Sequence, residues 1–144
     1  MAKRLQKKER TLTRLILVLK FLATFNLLAI PLYIALYTNF SFEPLQEFNA
    51  GIISSTLNSL GYGTYSDGRI VNLLSGKEME DIDISWDSTG WKSMYAVASL
   101  IIATPISTLS RRLKFALIGV GVIFFINYLR ILTTILISIN FGFN

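Results

Sequence analysis

The apolar positions fall into three long runs separated by one polar segment. The runs are Thr13 to Tyr37, Trp91 to Leu109 and Phe115 to Ile139, each close to the ~20 residues a helix needs to cross a bilayer. Lys20 sits one turn into the first run, near enough to its basic end to snorkel. Pro31 and Pro105 lie inside the first and second runs. Helix neighbours in a membrane can satisfy the carbonyls a proline frees, so kinks are expected there rather than breaks. The segment from 38 to 90 has a different rhythm. In "PLQEFNAGIISSTLNSLGYG", Leu45, Phe48, Ile52, Ile53, Leu57 and Leu60 recur at helical spacing before Gly61 and Gly63. This predicts a short amphipathic helix lying on the membrane surface or capping the bundle. Next, "TYSDGRIVNLL" places Asp67-Gly68 between β-prone runs, and "DIDISW" (81–86) alternates polar and apolar residues. A small hairpin or pair of strands is expected to lead into the second apolar run; an irregular cap of the same polarity is the alternative.

Composition supports the membrane reading. Of 144 residues, 52% are apolar and 16% charged, too apolar for a soluble domain of this size to hide. The expected fold is an α-helical integral membrane protein of one domain (1–144), with about three transmembrane helices (13–37, 91–109, 115–139) and a small cap at 38–90. The first run is too long for a signal-peptide core and no A-x-A site follows it, so it is expected to be a retained anchor. Charge sets the orientation. Lys3, Arg4, Lys7, Lys8, Arg10 and Arg14 cluster at the start, and Arg111, Arg112 and Lys114 lie between the second and third runs. The segment from 38 to 90 holds only Arg69 and Lys77 against Glu43, Glu47, Asp67, Glu78, Glu80, Asp81, Asp83 and Asp87. The positive-inside rule then places the N-terminus and the 111–114 turn in the cytoplasm, and the cap outside the cell membrane. The net charge of +5 is thereby explained by topology and anionic lipid, without nucleic acid. Without cysteine or histidine the chain has no disulfide and no thiolate or imidazole ligand; no metal or cofactor is expected.

Candidate chemistry gathers around "DSTGWKSMY" (87–95), where the acidic segment meets the second run. Arg130 lies deep in the third run; a guanidinium there costs several kcal/mol unless it faces protein or water. Asn127 and Thr134 extend a polar stripe on its helix face. If the second and third helices turn near Arg112, Ser88 and Arg130 differ in depth by roughly 9 Å, a gap the arginine stem can nearly close. Structural alternatives are that Arg130 snorkels, or pairs with Asp87 or Asp83. A D-[ST]-G aspartic-protease reading fails, because an extra residue separates Asp87 from Gly90 and no second copy exists. Ser88 and Lys92, at i and i+4, fit a serine–lysine dyad only if burial lowers the lysine pKa. Alternatively, Asp87, Ser88 and Thr89 simply N-cap the second helix.

A β-like segment running into "DSTGWKSMYAVASLIIATP", a basic "RRLK" turn and a following helix with "NYLR" together resemble the exosortase/archaeosortase family in its short archaeal form. The resemblance covers about 61–135 and is most specific in T-G-W-K-S coupled to N-x-x-R. It implies a membrane cysteine transpeptidase. A cysteine attacks the C-terminal sorting signal of an exported protein, and the acyl group passes to a membrane or lipid-linked amine. Carried over, Ser88 stands at the cysteine position, Arg130 is the arginine that serves the oxyanion or orients the nucleophile, and Asn127 is the motif's asparagine. Asp87, Lys92 and Asn127 are the candidate substrate contacts. Two departures qualify this. Ser88 is a hydroxyl, which needs a base that a thiolate can do without; the change is either natural or introduced. The family's third functional residue, a histidine or arginine beyond N-x-x-R, has no match before Asn144, so the sequence is truncated or the role is unfilled. Little or no turnover is therefore expected. A non-catalytic membrane scaffold or complex subunit, and a serine peptidase using Ser88 and Lys92, remain alternatives.

Overall fold

A computed structural model describes residues 2–75, 78–105 and 107–141. Lys77, counted above among the charges of the cap, and Ile106 of the second run lie outside them, as do the side chains of Lys3, Arg4, Lys7 and Glu78. The elements in order are α1 (Ala2–Tyr37), α2 (Glu43–Ser59), β1 (Thr64–Asp67), β2 (Ile70–Ser75), β3 (Glu78–Asp83), a 3-10 turn (Trp86–Thr89), α3 (Trp91–Ala103) and α4 (Leu109–Phe141). Two helical stretches, Lys8–Tyr37 and Leu109–Phe141, are long and apolar enough to cross a membrane. The chain divides into two compact units, 1–39 with 94–120 and 40–93 with 121–144.

In the first unit α1 continues through Pro31 without interruption. It ends at Tyr37, and in the turn that follows Asn39 takes φ +50°, the left-handed conformation asparagine tolerates. The Tyr95 hydroxyl donates to the Leu28 carbonyl at 2.6 Å, joining α3 to α1. The second apolar run departs from expectation: helix stops at Ala103, six residues short of Leu109. Proline disfavours α geometry in the residue before it and has no N–H of its own, so Pro105 ends the helix here instead of kinking it. At 13 residues α3 is about 20 Å long, shorter than the other two. Arg111, Arg112 and Lys114 accordingly lie in the first turns of α4, not in the connection. Arg112 ties the join together, donating from Nε to the Ser107 carbonyl at 2.8 Å and from Nη1 to the Ile102 carbonyl at 3.2 Å. It thus satisfies a carbonyl that the end of α3 leaves without a helical partner. At Gly119 a Cβ would stand 3.0 Å from both Ile101 and Val97, so glycine permits the close packing of α3 on α4.

The second unit carries the β structure. The expected turn forms, with Gly68 at φ +57° and Asp67 paired to Ile70. A third strand extends the expected pair to an antiparallel meander in the order β1-β2-β3. The register sets Val71 opposite Ile82 and Ile70 opposite Asp83. The "DIDISW" segment is strand only through Asp83; Ile84 turns inward and is buried, and Trp86 opens the 3-10 turn. α2 packs by a different face from the one expected. Its buried stripe is Gln46, Asn49, Ala50, Ile53, Ser54 and Leu57, while Phe48 and Leu60 are exposed. The reason is that half of this stripe is polar, and Gln46 and Ser54 within it are bonded to groups outside the helix. Gln46 Nε2 donates to the Ile84 carbonyl at 3.0 Å, and Thr64 Oγ1 donates to the Ser54 carbonyl at 2.9 Å. Apolar spacing alone cannot anticipate a polar face paired to a neighbouring strand. The core joins Ala50, Ile53 and Leu57 to Val71, Ile84, Ile131 and Ile135, so α4 is its floor.

Candidate active site

The site begins where β3 runs out. Ser85, in extended conformation (φ −61°, ψ 155°), caps the 3-10 turn, its side chain accepting from Ser88 N–H at 3.3 Å. The Ser85 and Ser88 hydroxyl oxygens are 2.7 Å apart, a direct hydrogen bond. The Thr89 hydroxyl donates to the Trp86 carbonyl at 2.7 Å, and Thr89 is fully buried. Gly90 then takes φ +75° and turns the chain into α3. Asp87, Ser88 and Thr89 therefore belong to the 3-10 turn that Ser85 caps; the expected capping of α3 by these three is not what forms. Trp86 and Trp91 stack across the turn with ring centroids 5.1 Å apart, and Phe40 meets Trp86 edge-on.

α4 reaches this turn with its N-x-x-R motif. Asn127 and Arg130, three residues apart, share a helix face. Asn127 Nδ2 donates to the Ser88 carbonyl at 2.7 Å and Arg130 Nη2 to the same oxygen at 3.3 Å. Asn127 is only 8% exposed, whereas Arg130 is exposed. The contact with Asn127 is close: a Cβ on Gly90 would lie 2.7 Å from Asn127 Cγ. The connection runs through 104–108 and not Arg112, and Arg130 reaches the Ser88 carbonyl directly. Thr134 does not extend the polar stripe toward Ser88; its hydroxyl donates back to the Arg130 carbonyl at 2.9 Å.

The charged neighbours pair elsewhere. Lys92 Nζ lies 2.7 Å from Asp87 Oδ1, with side chains 46% and 70% exposed. Arg69 Nε lies 3.0 Å from Asp83. Arg130 thus pairs with neither acid considered for it; its partner is a backbone carbonyl. The structure brings Ser88, Asn127 and Arg130 together and sets Asp87 and Lys92 beside them as a solvent-facing pair. Sequence reasoning missed Ser85, Gly90 and Gln46. Ser85 stands three residues before Ser88 at N-cap spacing, which was a readable signal; Gln46 reaches Ile84 across 38 residues and left none. A recess of about 450 Å³ in the same unit is lined by Phe48, Gly51, Ile52, Ser55, Thr56 and Ser59 of α2, none of them a site residue.

The family model Transmembrane exosortase (Exosortase_EpsH) matches residues 12–143, nearly the whole chain. Comparisons with curated proteins and with solved structures gave no match. The match spans both long apolar helices, the Ser88 turn and the N-x-x-R face of α4, and the chain is accordingly a membrane protein of the transmembrane exosortase family.

Proposed function

We propose that the chain is an archaeosortase-like membrane transpeptidase frame that receives the C-terminal sorting signal of an exported protein, with Ser88 at the nucleophile position and little turnover as written. The observation that carries this is the convergence of Asn127 and Arg130 on the Ser88 carbonyl. Donors already gathered at the residue of attack are what a developing oxyanion needs nearby. Arg130, exposed and held by one 3.3 Å bond, has guanidinium donors left for a substrate carbonyl, while buried Asn127 fixes the turn. Asp87 and Lys92 flank the approach. Low turnover follows from the hydroxyl environment. Ser88 Oγ meets the Ser85 hydroxyl, which is too weak a base to activate a serine, and Lys92 is engaged by Asp87. A thiol at position 88 would need less help, since cysteine supplies some thiolate unaided. The expected result is that Ser88→Cys gains alkylation at low reagent concentration and processing of a tailed substrate. Alkylation without any processing, in a sequence extended at its C-terminus, would refute the transpeptidase reading.

One observation favours a second reading, a non-catalytic membrane scaffold. Each polar group at the turn has a structural bond: Asp87 with Lys92, and Asn127 and Arg130 with the Ser88 carbonyl. In that case Arg130→Lys lowers stability or assembly and leaves capture of a sorting-signal peptide intact. Loss of capture with stability retained supports the transpeptidase frame.

A further inference from the structure

At the α3–α4 join of the first unit lies a recess of about 440 Å³, lined by Ile101, Thr104, Ser107, Arg112, Phe115, Ile118 and Gly119. Its walls on α4 are strongly apolar and open outward: Phe115 is 59% and Ile118 61% exposed. Arg111 stands four residues before Phe115 and seven before Ile118, on the same helix face, and Lys114 is one turn from both Arg111 and Ile118. Two cations thus border the mouth of an apolar groove.

Among the described residues their charge is unanswered. The sequence has no acid after Asp87, and Asp87 is held by Lys92. Arg112 directs two of its guanidinium donors to the Ser107 and Ile102 carbonyls. Arg111 and Lys114 are exposed and make no ion pair or side-chain hydrogen bond among the described residues. The join also sits at the start of α4, a helix long and apolar enough to cross a membrane, in a protein of a transmembrane family; basic residues at such a helix end are suited to meet polar headgroups. A ligand that answers both features must carry a negative group next to an aliphatic chain.

We propose that this groove is a binding site for one anionic phospholipid, its phosphate held by Arg111 and Lys114 and an acyl chain lying along Phe115, Ile118 and Ile101. Arg112, which lines the recess, is tied to the Ser107 and Ile102 carbonyls and serves as the floor of the site. The occupancy is independent of the chemistry at Ser88 and of which side of the membrane the join faces.

The test uses the full-length chain in detergent, with phosphatidylglycerol and phosphatidylcholine of matched chains added in equal amount. Retained lipid is read by native mass spectrometry. Phosphatidylglycerol is expected to be retained over phosphatidylcholine by at least about fivefold, since each surface cation contributes roughly that factor toward an anionic headgroup. The double variant Arg111→Gln/Lys114→Gln should bring the two lipids to parity. Phe115→Ala, at an exposed position, should lower retention of both while keeping the preference. Equal retention by the unaltered chain, or a preference that survives the double variant, overturns the site. Displacement of phosphatidylglycerol by soluble glycerol phosphate at similar concentration would also overturn it, because the apolar wall would then contribute nothing. Intact folding of the variants is checked by far-UV circular dichroism and thermal unfolding in detergent.

Discussion

Ser85 changes what a substitution at position 88 would mean. Its hydroxyl lies 2.7 Å from Ser88 Oγ and also caps the turn through Ser88 N–H. A hydrogen bond donated to a thiolate favours the charged form and lowers its pKa. With Ser88→Cys as background, adding Ser85→Ala is expected to move the alkylation profile to higher pH and slow alkylation at neutral pH by roughly threefold to tenfold, the effect of one hydrogen bond. An unmoved profile accompanied only by lower stability would leave Ser85 as a cap and nothing more. Asn127 works at the same scale by a different route. Being buried, it cannot be replaced by water, so Asn127→Leu leaves the Ser88 carbonyl short of a partner and should cost about 1–3 kcal/mol of stability.

Among elements, the 3-10 turn depends most on its surroundings. Gly90 carries two separable constraints, a φ of +75° and a missing Cβ that would sit 2.7 Å from Asn127. Gly90→Ala should destabilise the protein by roughly 1–3 kcal/mol, through conformation and clash together. Pairing it with Asn127→Ala should relieve the clash and leave the conformational part, so the double variant falls short of the sum; thermal unfolding in detergent reads the difference. The same elements show what was legible beforehand. The Asp67-Gly68 turn was readable because a two-residue hairpin loop requires positive φ, and the N-x-x-R spacing because it fixes a helix face. The end of α3 was misread because Pro105 obeyed its local stereochemistry where membrane tolerance was expected. The packed face of α2 was hidden because Gln46 and Ser54 are buried by bonds to partners 38 and 10 residues distant, which periodicity does not register. The Asp87–Lys92 pair, half exposed, contributes no more than about 1 kcal/mol.

For the whole molecule, absence of cysteine makes orientation directly measurable. The excess of acids in 38–90 and of basic residues at the α4 start predicts opposite sides of the membrane. A thiol introduced by Asp81→Cys is expected to react with a membrane-impermeant maleimide in intact cells. One introduced by Ser110→Cys should react only after permeabilisation. The reverse pattern would invert the topology, and equal labelling would place both on one side. The two positions are exposed, so access rather than folding decides the outcome.

The double capping of the Ser88 carbonyl also bears on the order of events during synthesis. Its two donors lie 39 and 42 residues later in the chain, on a helix that leaves the ribosome after the sheet. Until α4 docks, that carbonyl lacks both partners, the turn at Gly90 has nothing to lean on, and Arg130 is absent. Loop closure over such a span is among the slower local steps of folding. The chain therefore assembles its reactive corner only once α4 has docked, after its first helix and its sheet have been made, and the integrity of that corner reports that docking.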